Sequence, residues 1–189
     1  NTNAEAHDEG TTLNFGGTGL TWISGYMTGG GTFTNEGLII LDAPAWTGVN
    51  GSTLVNNGTI EQNNGIFYLT SSAVLENNDL YDIQGDVNII QSGAASTFVN
   101  SGRIVKSVTG DGWSTITVPF DSRPESIIES AAGEVRFEGP SQYHNMTFVA
   151  DDTESTIRLL SSTHTFRGSI SGSPTGLVIL NTNAEAHAE

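Results

Sequence analysis

The sequence of 189 residues contains no cysteine. That absence excludes a disulfide scaffold and any thiolate metal site. Cationic side chains are scarce as well: Lys and Arg together number 6 against 21 Asp and Glu, for a formal net charge of −15. Nucleic acids and anionic membrane surfaces are held by clusters of Lys and Arg, so neither is an expected partner. No apolar run approaches the roughly 18 residues of a membrane span, so membrane insertion is not expected. Only 14% of residues are charged, against a usual share of roughly 25%, and runs of strong helix formers are missing. Also missing are a Gly-x-Ser-x-Gly elbow, a phosphate loop, a dinucleotide fingerprint, an EF-hand loop and Gly-Gly-x-Gly-x-Asp repeats.

What is present is a strand-and-turn composition. Short bursts of Val, Ile, Thr and Phe alternate with Asn, Ser and the 23 glycines, as expected of many short strands. Four segments share one form. They are Phe33-Thr34-Asn35-Glu36-Gly37-Leu38-Ile39, Leu54-Val55-Asn56-Asn57-Gly58-Thr59-Ile60, Leu75-Glu76-Asn77-Asn78-Asp79-Leu80-Tyr81 and Phe98-Val99-Asn100-Ser101-Gly102-Arg103-Ile104. Their first residues are 21, 21 and 23 positions apart. Degenerate copies are read at Ile128-Glu129-Ser130 and Phe148-Val149-Ala150, with further coils placed at Ile170 and Leu13.

A period of about 22 residues is the size of a solenoid rung. The expected fold is all-β, a parallel β-helix (β-solenoid) of about eight coils. In stacked coils each strand pairs with its equivalent at about 4.8 Å, so equivalent side chains form columns along the axis. Phe33, Leu54, Leu75 and Phe98 are expected to form a core column. Asn35, Asn56, Asn77 and Asn100 are expected to form a ladder of hydrogen-bonded amides at a bend, with left-handed backbone at the corner and Gly two residues on to relieve crowding. The 30-residue step from Phe98 to Ile128 reads as one coil carrying a protruding loop at about 107–126.

The heptapeptide Asn-Thr-Asn-Ala-Glu-Ala-His occurs at residues 1–7 and again at 181–187, an offset of 180. This identifies residues 1–189 as a single module, one 180-residue unit of a tandem array, with 181–189 opening the next unit. Capped by Asn3 and ended by Gly10, the segment reads as one helical turn on the outside of a coil. The implied partner is the chain itself, end to end with identical or similar modules.

The run from Trp22 to Gly37, Trp-Ile-Ser-Gly-Tyr-Met-Thr-Gly-Gly-Gly-Thr-Phe-Thr-Asn-Glu-Gly, resembles the degenerate repeats of large bacterial adhesin-like surface and secreted β-solenoid proteins. The likeness covers most of residues 11–106. It implies an exported, secreted or cell-surface bacterial protein that forms fibres or adheres, and it brings no catalytic residues. The first function expected is therefore a structural repeat module of a fibre or giant surface protein. The alternatives are an adhesin module binding glycan or another cell surface, and a polysaccharide-active enzyme.

Candidate chemistry is sparse. Asp151, Asp152 and Glu154 are the best candidate calcium ligands, since hard cations take carboxylate oxygens. Asp79, Asp82 and Asp86 form a second acidic group, with Asp79 and Asp152 taken to share one column offset. No catalytic residue is assigned, and calcium is the one cofactor considered. Trp22, Trp46, Trp113 and Tyr143 could stack on sugar rings if exposed, although aromatics in a solenoid usually pack inside or across coils. The four His residues show no metal-ligand spacing.

Overall fold

The computed structural model describes residues 3–108, 112–172 and 175–187. Every regular element among them is a β-strand, and all registered pairs are parallel. The chain is a β-solenoid of about nine turns. Each turn contributes a strand to each of three faces, so one face repeats every 20 to 23 residues.

The first face is a nine-stranded sheet that begins at Thr11–Leu13, contains Thr32–Asn35, Thr53–Asn56, Val74–Asn77 and Thr97–Asn100, and ends at Ala184–His187. The other two faces belong to one sheet, because Leu38–Asn50 and Thr59–Thr70 run unbroken round the corner between them. The second face includes Leu80–Ile83, Arg103–Lys106, Ile127–Ser130 and Thr147–Ala150; the third includes Gly25–Thr28, Asn88–Ser92, Trp113–Ile116, Glu134–Phe137 and Thr156–Leu160.

Alternation within each strand builds the core. Thr53–Asn56 and Val74–Asn77 have every second residue buried, the period-two signature of a strand with one inward side. Phe33, Leu54, Leu75 and Phe98 pair in register and are at most 1% exposed. Beside them run Ile39, Ile60, Tyr81 and Ile104 from the second face and Phe67, Ile89, Ile116 and Phe137 from the third.

Past Phe98 the frame expected from the sequence slips. The Phe98 column continues through Phe120, Ser141, His164 and Ala184. Ile128 and Phe148 instead belong to the Ile39 column of the second face. Leu13 stacks with Asn35, and Thr11 occupies the Phe33 position. The register therefore jumped one strand within the same turn, because both columns are lined by similar apolar residues.

The stretch 107–126 is accordingly not one protruding loop. It contains the strands Trp113–Ile116 and Phe120–Ser122. Only the link from residue 107 to 112 is extra, and its residues 109–111, including Gly110 and Asp111, lie outside the described residues. The step from Asn88 to Thr115 on the third face is long at 27 residues, yet Phe98 to Phe120 is an ordinary 22. A shorter return after the extra link restores the period.

In its described residues, 3–7 and 181–187, the heptapeptide is extended in both copies, not a helical turn. Ala4–Glu5 pairs with Met27 and Thr28 on the third face, whereas Ala184–His187 pairs with His164–Arg167 on the first. Extended backbone places each Glu beside the His two residues on, at 3.8 Å for Glu5 and His7 and 3.5 Å for Glu185 and His187.

Candidate functional site

At the corner between the first and second faces, four buried asparagines form a continuous ladder. Asn35 Nδ2 donates to Asn56 Oδ1 at 2.7 Å, Asn56 to Asn77 at 2.7 Å, and Asn77 to Asn100 at 2.8 Å. The same amides donate sideways to the backbone oxygens of Thr59, Leu80 and Arg103 in the following turn. Each interior amide thus ties two turns together twice. All four are 0% exposed, so the paired amides avoid the penalty of buried polar groups left unsatisfied. Leu13 lies below the row and Ser122 above it. A short outer row runs alongside, from Asn78 to Asn57 to Glu36, at 2.9 Å each.

None of the four asparagines has a positive φ, so the corner is not left-handed there. The following glycine is needed for close approach instead. A Cβ on Gly58 would lie 2.3 Å from the Gly37 carbonyl oxygen, and one on Gly102 would lie 2.2 Å from that of Asp79.

The corner between the second and third faces holds polar groups that the sequence motifs did not flag. Gln62 is fully buried, accepts from the Tyr81 hydroxyl at 2.9 Å and donates to the Asn88 carbonyl at 3.2 Å. Lys106 is also fully buried. Its ammonium donates to the Gly85 carbonyl at 2.7 Å, Asp86 Oδ1 at 3.1 Å and Ser114 Oγ at 3.2 Å. Leu41, Gln62, Ile83 and Lys106 share one inward column. The repeat frame already aligned those positions, each eight residues after its core-column residue, and that was the available signal.

The acidic candidates do not converge. Asp152 Oδ1 accepts from the Glu154 and Ser155 amides, both at 2.8 Å, and from Ser155 Oγ at 2.9 Å. These bonds, led by the Ser155 hydroxyl, hold its carboxyl below the usual carboxylate range. It caps a turn rather than forming a calcium site with Asp151 and Glu154. Among the described residues no group of three His, Cys, Asp or Glu side chains is placed to hold a metal ion. Asp79 and Asp152 do not share a column, because Phe148 and Leu75 lie on different faces. Asp82 accepts from Ser107 Oγ and Gln84 Nε2, and Asp86 holds Lys106 and the Gly112 amide.

The aromatic candidates separate by environment. Trp22 and Tyr143 are buried core residues. Trp113 is half-exposed, but the Arg136 guanidinium covers its ring at 3.6 Å. Trp46 packs on Tyr26 with ring centroids 4.9 Å apart. Both lie on the outside of the third face, where Tyr26, Gly48 and Tyr68 are in register. Tyr26 leans across Gly48, where an added Cβ would be 2.9 Å from its Cε1. Burial, and then the neighbouring Tyr68, raises the Tyr26 hydroxyl above the usual phenol range.

Among the described residues, the strands of the first and last turns are paired on one side only, on all three faces. Thr11–Leu13, Leu20–Trp22 and Ala4–Glu5 have no strand beneath them among the described residues, and Ala184–His187, Ser171–Gly172 and Leu177–Asn181 have none above. An apolar pocket of about 220 Å³ opens at the first turn between Ala4, Leu20, Trp22, Ile23 and Met27. At the last turn Leu177, Val178 and Leu180 are 56%, 42% and 47% exposed.

Comparisons with protein-family models, with curated proteins and with solved structures return no match, so the reading of this chain rests on its own columns, corners and ends.

Proposed function

We propose that this chain is a structural β-solenoid module that stacks end to end with identical or similar units into an extracellular filament or stalk. The observation that carries this reading is the complementarity of the two open ends. In the column order of the first and second faces, Ala184 and Ala186 stand where the next turn would bring Thr11 and Leu13, and Gly172 stands where it would bring Leu20. Small interior residues at one end thus meet larger ones at the other. Unpaired strand edges favour such pairing with another chain, and solenoids that remain single cover them with caps.

The heptapeptide adds a second geometry, for units joined within one polypeptide. Thr11 and Ala184 share a column 173 residues apart, so the 180-residue offset is eight turns plus seven residues, about one face. A following unit in the same polypeptide is therefore turned by one face about the axis, so the match of Ala184 with Thr11 applies to separate chains that stack end to end and not to a unit joined in that way. The likeness of Trp22–Gly37 to adhesin-like solenoid repeats supports a secreted or bacterial cell-surface setting.

Electron microscopy of the concentrated protein should show thin unbranched fibres with an axial repeat of about 40 Å, eight to nine turns at the strand spacing. Ala186→Arg, which puts a charge on the exposed inward column, should abolish the fibres while the circular dichroism stays that of the parent. A stable monomer at high concentration, or fibres unaffected by Ala186→Arg, would overturn the proposal. Activity assays on acidic and neutral polysaccharides test the enzyme alternative.

A further inference from the structure

We infer that the outer third face around Tyr26, Trp46 and Tyr68 binds a neutral glycan lying along the solenoid axis. This goes beyond end-to-end assembly and does not depend on it.

The first argument is charge. The strand Gly25–Thr28, the stretches 46–50 and 66–70, and the strand Asn88–Ser92 contain no Asp, Glu, Lys or Arg in a chain of net charge −15, and the one carboxylate beside them is Glu5 of the first strand, in register with Thr28 at the edge of the patch. Farther along, the same face becomes charged, with Glu134 bound to Arg136 and Arg158. An uncharged surface on so acidic a chain offers nothing to a cation and repels polyanions through the surrounding field. That field also opposes side-by-side contact with a second copy.

The second argument is shape. Tyr26, Trp46 and Tyr68 tile adjacent turns, with Gly48 leaving room for the Tyr26 ring. Flat aromatic faces take the C–H faces of pyranose rings, while neighbouring polar groups bind the hydroxyls. That polar row is present: Asn50 and Thr70 pair beside the aromatic row, with Thr70 Oγ1 3.1 Å from Asn50 Oδ1, and Thr28 follows Tyr26 by two residues on its strand. The turn spacing of about 4.8 Å is close to the length of one pyranose unit, so successive sugars fall on successive turns.

The test is titration calorimetry of the full chain with cellohexaose, laminarihexaose and chitohexaose as neutral probes, and with polygalacturonate as the polyanion. At least one neutral probe should bind and polygalacturonate should not. Trp46→Ala should weaken that binding about tenfold, whereas Trp113→Ala, on the Arg-covered ring, should leave it unchanged. Tyr68→Ser serves as a second variant if Trp46→Ala shifts the melting temperature. No binding of any neutral probe, equal loss in Trp113→Ala, or binding that survives both face variants would overturn the inference. So would a lateral dimer, seen by sedimentation, that Trp46→Ala dissolves, since the face would then belong to a second copy. Fibre formation is scored separately and is expected to be the same with and without glycan.

Discussion

Asn56 stacks directly on Asn35, its side-chain oxygen accepting from the Asn35 amide at 2.7 Å while its own amide donates to Asn77 at the same distance. An interior rung of this ladder is therefore both donor and acceptor along the axis, roles that a carboxamide serves and a carboxylate does not. Asp has the same shape but no donor.

Asn56→Asp should accordingly be strongly destabilising at neutral pH. It buries a charge and sets it against the Asn77 oxygen, a cost of about 3 kcal/mol by the usual scale for an uncompensated buried charge. Urea denaturation at pH 7 measures it, and equal midpoints for variant and parent would show the ladder contributes nothing to stability.

Leu54→Ala removes a fully buried side chain flanked in register by Phe33 and Leu75. The expected loss is about 2–5 kcal/mol, read as a lower denaturation midpoint. The outward Val55→Ala at the neighbouring position should cost far less.

Lys106 and Asp86 make an asymmetric pair, the ammonium fully buried and the carboxylate partly exposed. Asp86→Ala leaves the ammonium with only the Gly85 carbonyl and Ser114 hydroxyl, and should cost roughly 1–3 kcal/mol. Lys106→Met removes the buried charge itself and should be close to neutral. If chemical denaturation ranks Lys106→Met as the worse variant, the lysine is a source of stability rather than a tolerated charge.

His164 predicts a pH dependence near the last turns. It is fully buried, accepts at Nδ1 from the Tyr143 hydroxyl at 3.2 Å and donates from Nε2 to the Leu160 carbonyl at 3.3 Å. Burial pushes its pKa below the usual 6.5, with the Leu160 carbonyl opposing. The unfolded chain then binds more protons than the native one as pH falls below about 6.5, so stability should drop on acidification. Hydrogen exchange at pH 7.5 and 5.5 should show Thr165 and Phe166 losing protection at the lower pH. His164→Gln should remove that part of the loss.

The coil period, the parallel stacking and the Phe33 and Asn35 columns were legible in the residues alone. They depend on local periodicity repeated in one frame, and neither a register error nor a distant contact disturbs four copies in succession. The Lys106 column was legible in the same frame, yet a lysine reads as surface until its neighbours are known.

Beyond Phe98 the sequence did not decide. Phe98, Phe120, Ile128 and Phe148 are all large apolar residues, and only strand pairing shows that Phe120 continues the first face while Ile128 and Phe148 line the second. The same holds for the heptapeptide, whose identical letters lie on different faces because their 180-residue offset is eight turns plus about one face. Acidic spacing likewise suggested a cation site at Asp152, which the turn geometry turned into a cap. Sequence determined that this chain coils and what fills the coil, since alternation and turn chemistry act within a few residues. Tertiary structure alone decided which strand lies over which, because that choice depends on hydrogen bonds between residues more than twenty positions apart.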